Sequence, residues 1–252
     1  MASKNLKITE GLKLALMFSL PSYRKRACGS GALPVEVYEE FIKTGNQDLV
    51  ASIVKELVTY KNMIPNLRVI HDAPEDQVTE LFSLKAILMY TVGLGYMENL
   101  KPNGVEELLT HCEKIGFIPE VVAEMKDRAP QQYLPFHTWY VILDNSLQVE
   151  PARDLQVINP CMVNSGVVLW VSPDGTEVEV STISIEEKRG DMILTPDVQK
   201  LTADPTLLGS EIKVRDKVAF HHNWVFRIIE TAEHTTLKSR IEETIEMFNR
   251  NV

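Results

Sequence analysis

The sequence predicts an α+β protein of 252 residues, in which a helical domain (1–150) precedes a small β-barrel with a C-terminal helix (151–252). Two observations support this division. Apolar residues recur at helical spacing through the first part of the chain. After Glu150, runs of strand length and alternation of apolar with polar residues replace that spacing. We therefore expect the chain to change from helices to strands near residues 150–154.

Seven segments of the first part carry the helical pattern. They are residues 12–18, 34–42, 48–61, 76–100, 103–116, 119–126 and 136–143. Pro21 is predicted to end the first of them, because proline breaks a helix interior. The long segment 76–100 contains Glu80 and Lys85, which a lipid-facing span does not accommodate cheaply, so it is predicted to be core and not membrane. Its Gly93 indicates a kink or a close helix contact.

The second part is predicted to form a barrel closed by a packing helix. Predicted strands cover residues 157–158, 166–171, 176–185, 211–214 and 217–220, with a turn at 173–175. Residues 191–210, with two prolines, are interpreted as an inserted loop. From Thr231 onward the spacing is helical, with one apolar stripe made by Leu237, Ile241, Ile245 and Phe248.

Composition excludes several classes of protein. Hydrophobic residues make up 44% and charged residues 24%, values typical of a globular protein, and the net charge is -9. Because nucleic-acid binding needs clustered Lys and Arg, no nucleic-acid partner is expected. No membrane partner is expected either. The three cysteines are widely spaced and include no Cys-x-x-Cys pair, and no signal-peptide pattern is seen, so the cytoplasm is the expected location.

Two short motifs in the predicted barrel contain residues that bind metals. Cys161 is followed five residues later by Gly166 and a valine-rich strand, and His221 ends a later strand five residues after Asp216. A thiolate and an imidazole held by one barrel are suitable ligands for iron, copper or zinc. The Cys precedes its strand and the His ends another, so both are predicted to converge at one end of the barrel.

These motifs give residues 156–250 a resemblance to the HypC-type maturation chaperones of nickel–iron hydrogenases. Those proteins are small barrels with a C-terminal helix, a Cys followed by Gly and a valine-rich strand, and a late Gly-Asp-x-Val-x-x-His strand. Here Ser165 stands at the family's Pro position and Arg215 at its Gly position. The resemblance implies that Cys161 and His221 hold an iron fragment bearing cyanide and carbon monoxide. It implies a hydrogenase large subunit or other maturation proteins as partners, and iron as the one cofactor.

The whole chain also resembles an uncharacterised bacterial and archaeal family of similar length. The shared features are a proline followed by Cys28-Gly29, an aromatic-His segment at 136–139, and His-x-x-Trp-Val at 221–225. This resemblance implies the architecture and supplies no activity.

Each candidate residue also has a purely structural interpretation. Cys161 can be a buried small apolar residue at a strand start. Asp216 can accept a hydrogen bond from His221, or be only a strand-edge charge. His222 is predicted to point to the opposite face of the strand from His221.

Two further residues are supporting candidates. Cys28 follows the basic run 24–26 in a glycine-rich loop, where nearby cations would lower the pKa of its thiol, so it can be a nucleophile, a third ligand or part of a plain turn. His137 is predicted to pack between the two domains. It would be a ligand only if it lay near Cys28 or Cys161.

The functional prediction is an accessory protein, or chaperone, for metalloenzyme maturation that binds a client subunit or an iron fragment through Cys161 and His221. One alternative is a thiol-dependent enzyme with Cys28 as nucleophile and His137 or His221 as base. Another is a scaffold without chemistry. No residue is assigned as catalytic, and a non-enzymatic role is favoured over an enzymatic one.

Overall fold

The computed structural model confirms the α+β class, with helices leading into a closed five-stranded barrel and a C-terminal helix. It describes residues 2–25, 33–57, 63–70, 75–94, 103–114, 119, 122–123, 136–146 and 155–250. The helices before the barrel are α1 (Ala2–Lys25), α2 (Val35–Thr44), α3 (Val50–Leu57), α4 (Met63–Ile70), α5 (Leu84–Val92), α6 (Gly104–Lys114), α7 (His137–Ser146) and α8 (Leu155–Cys161). Short 3₁₀ helices cover Gln47–Leu49 and Glu75–Phe82. The predicted domain boundary at residue 150, and most of the segment predicted at 119–126, lie outside the described residues.

Helix α1 does not end at Pro21 as predicted but continues through it. Proline in a helix interior removes a hydrogen bond and costs about 3 kcal/mol. Packing of the following turn offsets this cost, since Tyr23 stacks on Tyr38 with ring centroids 4.5 Å apart and Arg24 lies 4.5 Å from the centre of the Trp224 ring. These contacts attach the end of α1 both to α2 and to the barrel.

The segment predicted as one long helix at 76–100 is divided. A 3₁₀ helix is followed by the N-cap Ser83 and by α5, which ends at Gly93 in the left-handed conformation (φ 67°). Helix α1 crosses this junction closely at Gly11, where an added Cβ would lie 2.0 Å from the Phe82 carbonyl oxygen. No helix among the described residues is both long and apolar enough to cross a membrane.

The barrel closes in the order β1-β2-β3-β5-β4. Its strands are β1 (Asn164–Val171), β2 (Glu177–Lys188), β3 (Asp191–Thr202), β4 (Lys217–His221) and β5 (Trp224–Ile229). Neighbouring strands are antiparallel except for β3 and β5, which meet in parallel at Thr202 and Trp224. The predicted turn at 173–175 joins β1 to β2, with Gly175 at φ 74°.

Three predictions in this region were wrong. Residues 157–158 belong to α8 and not to a strand. Residues 191–210 are not a loop but form β3 and the short helix α9 (Pro205–Leu208). Strand β3 pairs with β2 along its whole length and with β5 only at Thr202. Among the described residues, the side of β3 away from β2 is therefore without a strand partner at Pro196, where proline is tolerated as it is on an edge strand. Residues 211–214 form no strand, because the chain turns there and Arg215 takes a positive φ of 77°.

The helices and one side of the barrel share a single hydrophobic core. It includes Phe18 from α1, Trp139 from α7 and Phe226 from β5. The C-terminal helix α10 (Thr231–Arg250) adds its predicted stripe of Leu237, Ile241, Ile245 and Phe248, all of them buried. A second, smaller core fills the barrel interior and contains Val180, Val218 and Val225. The barrel end described next therefore lies against packed helices.

Candidate functional site

Strand register brings the two sequence motifs together. Strands β1 and β4 are antiparallel, with Asn164 opposite Phe220 and Gly166 opposite Val218. Residues just before β1 and residues that end β4 therefore meet at the same end of the barrel. Gly166 is required by packing, because an added Cβ would lie 2.9 Å from the Val180 Cβ. The glycine of the motif thus has a structural role.

Cys161 precedes its strand, as the sequence predicted, and is the last residue of α8. Two residues separate it from β1. The backbone amide of His222 donates to the Pro160 carbonyl at 2.8 Å, which attaches the end of α8 to the β4–β5 connection. The Cys161 thiol is partly exposed and forms no disulfide.

His222 lies in a hairpin turn and not on the far face of a strand. His222 and Asn223 have φ values of 51° and 61°, the two positive angles of a type I′ connection between β4 and β5. Its ring lies 4.4 Å from the His221 ring, centroid to centroid, and its Nε2 lies 3.5 Å from the Cys161 Sγ. The imidazole in hydrogen-bonding distance of the thiol is therefore that of His222.

His221 is buried and neutral beside this pair. Its Nδ1 donates to the Phe18 carbonyl of α1 at 3.0 Å, since a carbonyl oxygen only accepts, and its ring stacks on the Phe18 ring at 4.4 Å. Burial, and then the nearby imidazoles of His137 and His222, hold the pKa of His221 well below its usual value. Its buried Nε2 makes no hydrogen bond to the described residues and carries a lone pair.

His137 links the thiol-bearing helix to the rest of the fold. Its Nε2 donates to the Cys161 carbonyl at 3.1 Å, so its Nδ1 accepts from the Tyr90 hydroxyl at 2.9 Å. Burial lowers the pKa of His137 to about 3, although the Cys161 carbonyl opposes this shift and the nearby His222 adds to it. With both nitrogens engaged, His137 positions Cys161 and offers no free lone pair.

The other predicted site residues lie elsewhere. The Asp216 carboxylate accepts from the Lys213 amide at 2.8 Å in the turn before β4, at the opposite end of that strand from His221. This position agrees with the interpretation of Asp216 as a strand-edge charge. The Asp216 carboxylate does not contact the ring nitrogens of His221. Cys28 lies outside the described residues. Among the described residues, no group of three or more His, Cys, Asp and Glu side chains is arranged to hold a metal ion.

Sequence reasoning missed the Phe18 carbonyl and Tyr90, because no residue pattern reports which carbonyl or hydroxyl reaches a distant imidazole. It also assigned His222 the wrong direction. A signal was present in this case, because Asn and His are enriched among residues with positive φ, and His222-Asn223 comes just after the predicted strand 217–220. The strand that follows the turn, β5, was not predicted.

Fold and site together define a class: a helix-covered five-stranded barrel whose described residues bring a thiol and two adjacent imidazoles together at one end. Residues 51–252 match the family of unknown function DUF6390, and the chain belongs to that family. No curated protein and no solved structure matches the chain.

Proposed function

We propose that this protein is an accessory protein of metalloenzyme maturation, with nickel–iron hydrogenase as the client class that the HypC-type resemblance suggests. In this proposal, Cys161 and the adjacent histidines hold a client subunit or an iron fragment. One observation carries the proposal: the thiol of half-buried Cys161 lies 3.5 Å from the His222 Nε2, at the barrel end where the His221 Nε2 makes no hydrogen bond to the described residues.

The spacing of the donor atoms fits a shared metal ion. Zinc stands about 2.3 Å from thiolate sulfur and about 2.0–2.1 Å from imidazole nitrogen, so neighbouring tetrahedral ligands lie about 3.5 Å apart. Thiolate and imidazole also suit iron and copper. His221 is the histidine that the resemblance indicates, and His222 is the one that contacts the thiol. The proposal therefore takes Cys161 and His222 as the pair of donors within reach of one ion, and keeps His221 as the ligand that the resemblance implies.

The small number of protein donors favours transient holding over a structural metal. A structural zinc site is closed by four protein ligands, and no cluster of three or more is found among the described residues. In a carrier, the remaining positions belong to the cargo's own ligands or to the client. A thiol that must exchange cargo stays reduced most readily in the cytoplasm, which is where the proposal places the protein.

Metal analysis after anaerobic purification from the native cell tests the proposal. We expect iron to co-purify with the wild-type chain, and Cys161→Ala to lower the retained iron by about tenfold or more. Cys112→Ala is the matched control, because it removes a buried thiol of α6 and leaves the site untouched. Circular dichroism of both variants confirms that folding is retained.

Client capture gives a second readout from the same preparations. We expect a hydrogenase large subunit, or another maturation protein, to co-purify with the wild type and with Cys112→Ala, and to be lost from Cys161→Ala. Equal metal content and equal client recovery in all three proteins would rule out the proposed role of Cys161.

A thiol-dependent enzyme is the second candidate. The Cys161–His222 pair favours it, because an imidazole next to a thiol is the usual means of activating cysteine as a nucleophile. The Cys28-based site suggested by the sequence lies outside the described residues and stays a prediction. Covalent labelling by an electrophilic ester, with turnover and no bound iron, would favour this candidate over the carrier.

A further inference from the structure

A second concave site lies away from Cys161, between the helices and the barrel. It is a cavity of about 500 Å³ bounded by α1, the end of α2, the start of α5, α9 with the residues that follow it, and β5. This volume lies within the range of small-molecule binding sites. The proposed maturation role makes no use of this cavity.

The floor of the cavity is apolar and buried. It is formed by Leu14, Met17, Ile42 and Phe226, none of which is more than 8% exposed. A surface of this kind gains free energy by contact with an apolar ligand body.

The rim of the cavity is cationic, in a protein whose net charge is -9. Lys13, Lys43 and Arg227 line it, together with one carboxylate, Glu10. Arg227 pairs with Glu233 at 2.9 Å, and the Lys13 Nζ lies 3.5 Å from the Glu10 carboxylate. Among the described residues, no carboxylate pairs with Lys43. The rim therefore carries an excess of positive charge next to an apolar floor.

We propose that this cavity binds a small amphiphilic carboxylate, with its apolar body on the floor and its carboxylate at Lys13 and Lys43. A neutral apolar ligand would cover the floor but bring no anion to Lys43, and would leave Lys13 with Glu10 as its one anion among the described residues. A small hydrophilic anion would meet the ammonium groups but leave the floor uncovered. A monoanion with a hydrocarbon body satisfies both parts of the site.

Isothermal titration calorimetry of the full chain tests the proposal with three probes: decanoate, decan-1-ol and acetate. We expect saturable binding of one decanoate per chain. We expect decan-1-ol to bind about tenfold more weakly, which corresponds to losing two partly exposed ion pairs, and acetate to show no saturable heat. Equal affinity for decanoate and decan-1-ol, or no binding of decanoate, would overturn the proposal.

Two kinds of variant locate the binding. The double variant Lys13→Gln/Lys43→Gln should weaken decanoate binding about tenfold, whereas Lys188→Gln, an exposed lysine at the far end of β2, should leave it unchanged. Ser210→Trp places an indole at the exposed rim without changing charge, and should abolish binding. Unchanged decanoate affinity in a folded Ser210→Trp protein would show that the ligand binds elsewhere. This variant tests the location of the site even if the lysine variants fold poorly.

Discussion

The barrel and the helical region position the candidate site in different ways. In the barrel, the antiparallel register of β1 and β4 and one hairpin turn bring Cys161, His221 and His222 together. The helices contribute single contacts across the interface, from the Phe18 carbonyl to His221 and from His137 to the Cys161 carbonyl. Strand β4 and its hairpin turn thus supply the two imidazoles, α8 supplies the thiol, and α1 fixes the tautomer of His221.

This difference matters for chemistry. Because the Phe18 carbonyl accepts from the His221 Nδ1, the lone pair of His221 is held at Nε2. Without α1, either tautomer would be available. The barrel alone would therefore present the same residues with a less defined donor atom.

The largest expected effect on stability comes from the place where α1 packs against the junction before α5. Gly11→Ala puts a Cβ 2.0 Å from the Phe82 carbonyl oxygen, a backbone atom that moves only with its helix. We expect a loss of about 3 kcal/mol or more in unfolding free energy. Gly166→Ala in the barrel should cost less, about 1–3 kcal/mol, because its nearest contacts, the Ser181 carbonyl oxygen and the Val180 Cβ, lie at 2.9 Å and not at 2.0 Å.

Urea denaturation of both glycine variants measures this difference. Gly190→Ala is a useful control, because no atom lies within 4 Å of the added Cβ and only the positive φ of 91° is strained. A Gly166→Ala protein that is less stable than Gly11→Ala would show that the barrel, and not the α1 crossing, is the more tightly packed region.

The next largest effect is the dependence of stability on pH. Burial keeps His137 (pKa about 3) and His221 neutral in the folded chain, whereas unfolded histidines take up a proton near pH 6.5. Below pH 6.5 the unfolded state therefore binds more protons, and stability falls as the pH falls towards 3. From pH 7.5 to 5.5 we expect these two residues to account for a loss of about 2–3 kcal/mol in unfolding free energy.

Urea denaturation at both pH values, for the wild type and His137→Gln, tests this prediction. Glutamine offers both a donor for the Cys161 carbonyl and an acceptor for Tyr90, but it does not titrate. The variant should lose about half of the expected pH dependence. If the unfolding free energy of His137→Gln depended on pH as strongly as that of the wild type, His137 would have the same pKa in the folded and unfolded chains.

The sequence predicted which strands lie beside Cys161 and His221, but not the contacts that the helices make to these residues. Alternation between apolar and charged residues predicted β2, and the Cys-x₄-Gly and Asp-x-Val-x-x-His patterns correctly placed Cys161 and His221 next to strands that pair. A strand of this kind leaves a periodic signal in the sequence, because apolar and polar residues alternate along it. The contact of His221 with Phe18 spans 203 positions of sequence and leaves no such signal.

The errors have identifiable physical causes. Residues 191–210 looked like a loop because of their prolines, yet Pro196 is accommodated because no strand among the described residues pairs with β3 there on the side away from β2. Pro21 was expected to end α1, but the stacking of Tyr23 on Tyr38 favours one more turn. In both cases tertiary contacts outweighed a local preference, which sequence patterns alone do not report.

A smaller effect concerns the hydroxyl that fixes His137. Tyr90→Phe removes the donor to the His137 Nδ1 and leaves a buried acceptor unpaired, so we expect a loss of about 1–2 kcal/mol. A double-mutant cycle with His137→Phe, followed by thermal unfolding, isolates the pairwise term, which should be about 1 kcal/mol. Additive losses would show that the two residues act independently.

The smallest effect distinguishes the two barrel histidines. His222 Nε2 lies 3.5 Å from the Cys161 Sγ, whereas the Nδ1 of His221 is directed to the Phe18 carbonyl. An imidazole beside a thiol favours the reactive thiolate, so His222→Phe should slow alkylation of Cys161 by iodoacetamide about threefold at pH 7. His221→Phe should change the rate less. Peptide mass spectrometry assigns the alkylation to Cys161 and separates it from the other thiols. If His221→Phe slowed the reaction more than His222→Phe, the thiol would pair with His221 in solution, as the sequence predicted, and the turn histidine would have a structural role.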